Sequence, residues 1–178
     1  LGLAPMISEA NPDLLKTEFG RRLYDMVKAG NGYDAFGLWG TEGVAKNRDI
    51  INLPKMQRTV WDRQIEAADH FNDPGVFTAL IGFEWTSINN MERPSNLHRV
   101  VIFKEDARKA GQILPFSTFD SEDPEKLWDF MQAYEDKTGG SVLAIPHNGN
   151  LSNGLMFAVE RLNGRKLTRE YAETRMRW

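Results

Sequence analysis

Glu84, His98 and His147 are the residues of this chain best placed to do chemistry, because each stands at the edge of a strongly apolar, strand-like run. Burying an ionisable group is costly unless it is paired or coordinated, so a carboxylate and two imidazoles at the rims of buried strands form a ligand set for a divalent metal. Mixed oxygen and nitrogen donors suit Zn, Mn or Fe and do not choose among them. Each residue also has an ordinary reading: Glu84 as a solvated or salt-bridged strand end, His98 as a core imidazole bonded to a carbonyl. Their joint placement favours the metal. His147 is the most pointed of the three, since Pro146-His147-Asn148-Gly149-Asn150 sets a ligand and two amides into a tight turn after an apolar strand.

Other polar residues are weaker candidates. Asn148 and Asn150 are candidate substrate-binding residues that would donate amide hydrogen bonds to an anionic substrate, although Asn-Gly and Gly-Asn are also ordinary turn chemistry. Arg93 and Arg99 could bind phosphate, but strand alternation puts Arg99 on the face opposite His98. His70 falls about half a turn from the buried side of its helix, which predicts a solvated imidazole in the last helical turn and no part in the site.

The elements that must position these residues read as follows. Asn11-Pro12, an apolar stripe from Leu15 through Val27, and Gly30 predict one amphipathic helix. Residues 31–54 read mostly as loop, with a short helical turn near 33–38. A second helix is expected over 56–70, burying Val60, Trp61, Ile65 and Ala68, and a third from Asp123-Pro124 to Gly139-Gly140, with Leu127, Trp128, Phe130, Met131 and Tyr134 inside. The run 76–83 reads as a strand covered on both faces that delivers Glu84, 97–103 as a Val/Ile strand headed by His98, and 141–145 as a buried strand ending at His147. The connector from Ser87 to Asn96 is too short and polar for a parallel crossover, so an antiparallel return is predicted. A turn centred near Met91 would put Glu84 and His98 opposite each other, about 4.5 to 5.5 Å apart. Strands alternating with helices make the class α/β, in a single domain over 1–178.

Composition removes several function classes. A net charge of -3 and a pI near 5.7 argue against nucleic-acid or membrane-surface binding. No run approaches the roughly 18 apolar residues of a membrane span, which predicts a soluble chain with no membrane partner. The opening residues lack the basic n-region and full h-region of a signal peptide. With 0 cysteines there is neither a disulfide scaffold nor a thiolate zinc site. Walker and dinucleotide loops, the Gly-x-Ser-x-Gly elbow and the His-Glu-x-x-His helix are all missing from the sequence.

Three segments, Gly82-Phe83-Glu84-Trp85-Thr86-Ser87, Asn96-Leu97-His98-Arg99-Val100-Val101-Ile102-Phe103 and Ile145-Pro146-His147-Asn148-Gly149-Asn150, closely resemble a large bacterial family of unknown-function domains related to the polymerase and histidinol phosphatase (PHP) superfamily. Leu1 to Met6 and Ile113 to Asp120 also look like it. The resemblance implies part of a distorted (β/α)7-type barrel of mixed strands with helices packed outside, holding divalent ions at one rim. It implies metal-ligand roles for Glu84, His98 and His147. The family's His-x-His and Asp-His pairs would precede Leu1 and its Asp-x-His would follow Trp178, so the chain looks like the middle portion of a larger catalytic domain. Relatives of this type are often exported.

The expected function is a metal-dependent hydrolase of a phosphate ester or similar small anionic ester, using hydroxide activated by the metal. The alternative is a non-catalytic ligand-binding module that retains a PHP-like fold. A barrel segment with unpaired strand edges also predicts self-association.

Overall fold

The computed structural model describes residues 7, 9–43, 46, 49, 53–89 and 95–178. Two compact units divide the chain, Leu1–Trp61 and Asp62–Trp178, and the division falls within a helix. Met91, Arg93 and the stretch from Leu1 to Met6 lie outside the described residues.

In the first unit α1 (Pro12–Leu15), α2 (Glu18–Lys28) and α3 (Gly32–Glu42) surround a core of Ile7, Leu14, Leu23 and Ala35. The single helix expected over 11–30 is two. Thr17 starts α2 by accepting from Gly20 N at 2.9 Å, while its hydroxyl donates to Leu14 O at 2.9 Å. That crossing brings the backbones so close that a Cβ on Gly20 would lie 2.1 Å from Leu14 O. The expected loop after Gly30 is instead the eleven-residue helix α3. Its apolar residues run around the whole cylinder, leaving Tyr33 and Phe36 exposed, so no periodic stripe marks it; Ala35, Leu38 and Trp39 hold it by packing into the core.

Helix α4 (Pro54–Phe71) follows, with Trp61 and Ile65 buried as expected, Val60 and Ala68 half-buried, and His70 exposed in the last turn, edge-on to Phe71. The run 76–83 departs from expectation. Val76 and Phe77 are 83% and 60% exposed, Asp73 and Phe77 form an isolated bridge around a turn, and the strand β1 is only Gly82–Trp85. Apolar content alone cannot distinguish a covered strand from a loop that finds no cover.

The second unit is built on a three-stranded antiparallel sheet in the order β1, β4 (Arg99–Phe103), β5 (Val142–Pro146), with a small ribbon of β2 (Ile88–Asn89) and β3 (Ser95–Asn96) beside it. The antiparallel return from β1 to β4 is as the connector predicted. Helix α5 (Ala107–Ala110) is short, α6 (Pro124–Thr138) is the main helix, and α7 (Arg169–Arg177) comes near the end. The described residues thus form a mixed α/β structure with a small antiparallel sheet. No helix among them is long and apolar enough to cross a membrane.

Helix α6 has the predicted punctuation: the Asp123 side chain accepts from Glu125 N at 2.9 Å, Pro124 opens the first turn, and Gly139 takes a left-handed φ of 59° at the end. Leu127, Trp128, Met131 and Tyr134 are buried, and half-buried Phe130 packs between the Phe83 and Phe116 rings. One face of the sheet, carrying Trp85, Val101, Phe103, Val142 and Ala144, is buried, and the Phe103 ring meets Tyr134 at 4.8 Å. The other face is open. Leu143 and Ile145 are 50% and 43% exposed, so β5 is half-buried where the apolar run predicted full burial.

Candidate functional site

Strand register brings the three predicted ligands together on the open face. Glu84 pairs with Val100 and Arg99 with Pro146 in the two ladders, and His147 N donates to His98 O at 3.2 Å, which makes His147 the direct neighbour of His98. Directly opposite residues in an antiparallel ladder share a face, as do residues two apart on one strand, so Glu84, His98, Val100 and His147 share one. Glu84 is therefore diagonal to His98, where the sequence expectation put it opposite. The pairing is centred one residue later than expected, which moves the partner by two and leaves the face unchanged.

The side chains close the gap. Glu84 Oε1 accepts from His98 Nδ1 at 2.8 Å. The same oxygen lies 3.1 Å from His147 Nε2 without forming a hydrogen bond to it. The two imidazole rings stand edge to face with centroids 5.8 Å apart. One donor atom from each of the three residues lies within 4.8 Å of the others. Glu84 is the exposed member, and the two histidines are half-buried.

The decisive detail is hydrogen-bonding capacity. A carboxylate only accepts, so His98 Nδ1 carries a proton, and in the neutral imidazole Nε2 keeps a lone pair. That Nε2, like the Nε2 of His147, is sealed from solvent and has no hydrogen-bond partner. Two buried nitrogens left without hydrogen-bond partners are expensive, and native structures rarely leave such groups unexplained. A divalent cation fits this donor set: imidazole nitrogens and a carboxylate oxygen suit Zn, Mn or Fe. A carboxylate that fixes the tautomer of a ligating histidine is the usual outer partner of such an ion.

Helix and strand ends hold the histidines in place. His98 N donates to Asn96 Oδ1 at 2.9 Å just before β4 begins, and Leu97 N donates to Ser87 O at 3.0 Å, continuing the register of β1. After β5, Asn148 takes a left-handed φ of 56° and leads into a short 3-10 turn over Gly149–Leu151. Asn148 and Asn150 are both exposed on the loop that follows His147. Arg99 is on the buried face, as alternation predicted, lying over Trp85; burial pulls its guanidinium down to about 10, so it stays protonated at neutral pH. His70 is not part of the cluster.

Residues 1–178 match the family model described as Protein of unknown function (DUF3604). The chain belongs to that family. No curated protein and no solved structure matches it. The DUF3604 match covers the whole chain, including all three residues of the Glu84, His98 and His147 cluster.

Proposed function

We propose that this DUF3604 protein is a metal-dependent hydrolase of a phosphate ester or similar anionic ester, with the metal held by Glu84, His98 and His147. The observation that carries the reading is the two buried Nε2 atoms without hydrogen-bond partners, on imidazoles that flank one carboxylate oxygen. When bound, a divalent ion lowers the pKa of its water to about 7 and offsets negative charge on ester oxygens. The chain's own contribution is geometric. Glu84 fixes the His98 tautomer, the ladder pairing fixes His147 beside it, and Asn148 and Asn150 offer amides to substrate oxygens from the exposed loop.

The finer fold reading belongs with this proposal: the sheet is part of a distorted (β/α)7-type, PHP-like barrel. It is supported by the apolar sheet face around Leu143 and Ile145, which the described residues leave uncovered. Export of the full-length protein belongs to the same reading.

The test is turnover of a panel of phosphomonoesters, phosphodiesters and carboxylic esters by the full-length gene product loaded with Mn or Zn. His147→Ala is expected to remove both metal and turnover. Stoichiometric metal without turnover of any ester would transfer the support to the alternative, a non-catalytic binding module of the same fold.

A further inference from the structure

The buried face of β4 carries chemistry that the metal cluster does not use. Arg99 is only 6% exposed, lies with its Cζ 5.6 Å from the centre of the Trp85 ring, and donates through Nη1 to Leu97 O at 2.7 Å. Among the described residues it forms no ion pair, and the Nε and Nη2 edge of its guanidinium makes no hydrogen bond. Arg99 lines a cavity of about 700 Å³ together with Leu97, Trp128, Met156, Tyr171 and Arg175. Arg175 is equally without a carboxylate: its Nη1 donates to Ala158 O at 3.1 Å and its Nη2 to Met156 O at 2.9 Å.

The acidic groups nearby do not balance these charges. Arg161, a third arginine at the cavity, is matched by Glu125 through a two-point ion pair. Glu160 is exposed at the lining and pairs with neither Arg99 nor Arg175. The cavity therefore holds two guanidinium groups, Arg99 and Arg175, that no carboxylate pairs with among the described residues. A buried charge without a counterion costs several kcal/mol, which an incoming anion would recover. With Nη1 engaged by Leu97 O, the free edge of Arg99 presents two parallel N–H groups, the arrangement that matches two oxygens of a carboxylate or phosphate. The remaining walls are largely apolar and aromatic.

We propose that this cavity binds an organic oxyanion, a carboxylate or phosphate monoester that carries an apolar body. Arg99 grips the anion side-on, Arg175 adds charge, and Leu97, Trp128 and Met156 pack the apolar part. The site is separate from the metal cluster, since Arg99 and His98 are consecutive residues facing opposite sides of the sheet.

Isothermal titration of the 178-residue chain in EDTA, with phenyl phosphate, phenylacetate and inorganic phosphate as probes, tests this directly. The chelator removes any contribution from the metal cluster. Expected are a dissociation constant of about 1 mM or tighter for at least one of the two phenyl compounds and weaker binding of inorganic phosphate. Whichever phenyl compound binds more tightly identifies the anion. Arg99→Gln, checked for folding by circular dichroism, should weaken binding about tenfold or more by removing the bidentate grip. Val159 also lines the cavity and is 83% exposed, so Val159→Asp leaves the fold intact and sets a negative charge at the mouth. It should weaken binding about threefold to tenfold, an effect that shrinks with added salt. If Arg99→Gln does not fold, Val159→Asp decides. No binding of either phenyl compound up to about 10 mM, or affinities unchanged by the foldable variants, would overturn the site. Inorganic phosphate binding as tightly as phenyl phosphate would overturn the apolar part of the proposal.

Discussion

Replacing Glu84 by Gln separates the cluster from an ordinary polar contact. The substitution keeps the shape and keeps one oxygen able to accept from His98 Nδ1, now 2.8 Å from the carboxylate. What it removes is the negative charge shared between His98 and His147, the latter with Nε2 at 3.1 Å from the same oxygen. Loss of a carboxylate that orients a ligating histidine lowers metal affinity about 10-fold to 100-fold. At about 1.4 kcal/mol per tenfold, that is roughly 1.4 to 2.8 kcal/mol. With Glu84 also among the residues that hold the metal, the loss is expected at or above the upper figure. Stability without metal should change little, because Glu84 is about half exposed and surface ion pairs contribute about 0 to 1 kcal/mol. The assay is competition for Zn against a chromophoric chelator, run beside thermal unfolding in EDTA. Unchanged Zn affinity, or a fall in metal-free stability with affinity intact, would refute the assigned role.

Metal itself should raise the melting point. At a free concentration 100 times the dissociation constant it adds about 2.7 kcal/mol, for a rise of several degrees by scanning calorimetry that His147→Ala abolishes. His70→Ala should leave metal affinity and stability within about 0.5 kcal/mol of wild type, since the ring is exposed and outside the cluster. Met131 is fully buried on the inner side of α6, so Met131→Ala should cost about 2 to 5 kcal/mol by denaturant unfolding. Gly20→Ala forces a methyl onto Leu14 O and the Thr17 hydroxyl, so denaturant unfolding should show a loss of about 1 to 3 kcal/mol.

Where local chemistry decides conformation, the sequence was easy to read. Asp123-Pro124 and Gly139 mark α6 because a side-chain cap, a prolyl first turn and a left-handed stop each act within a few residues. The antiparallel return to β4 followed from a connector too short to cross over, and Arg99 and His98 separate to opposite faces because strand side chains alternate. Parity also protected the site: the pairing of Glu84 with Val100 differs from the expected partner by two, so the carboxylate still reaches both imidazoles. What failed depends on cover supplied from elsewhere. Val76 and Phe77 are apolar yet stay largely exposed, and Leu143 and Ile145 line a sheet face that the described residues leave half open. Helix α3 reads in the sequence as loop with only a short helical turn near 33–38, because Tyr33 and Phe36 face solvent and blur its period. The cavity at Arg99 gave no sequence signal, since Arg99, Tyr171 and Arg175 meet only through the tertiary fold.

The central claim is tested most directly by counting metal. The chain is exposed to Mn and Zn, freed of loose ions by gel filtration, and assayed by elemental analysis beside His147→Ala. The account predicts metal bound in stoichiometric amount by wild type and lost in the variant. Equal metal in both proteins, or none in either, would contradict a site made by Glu84, His98 and His147.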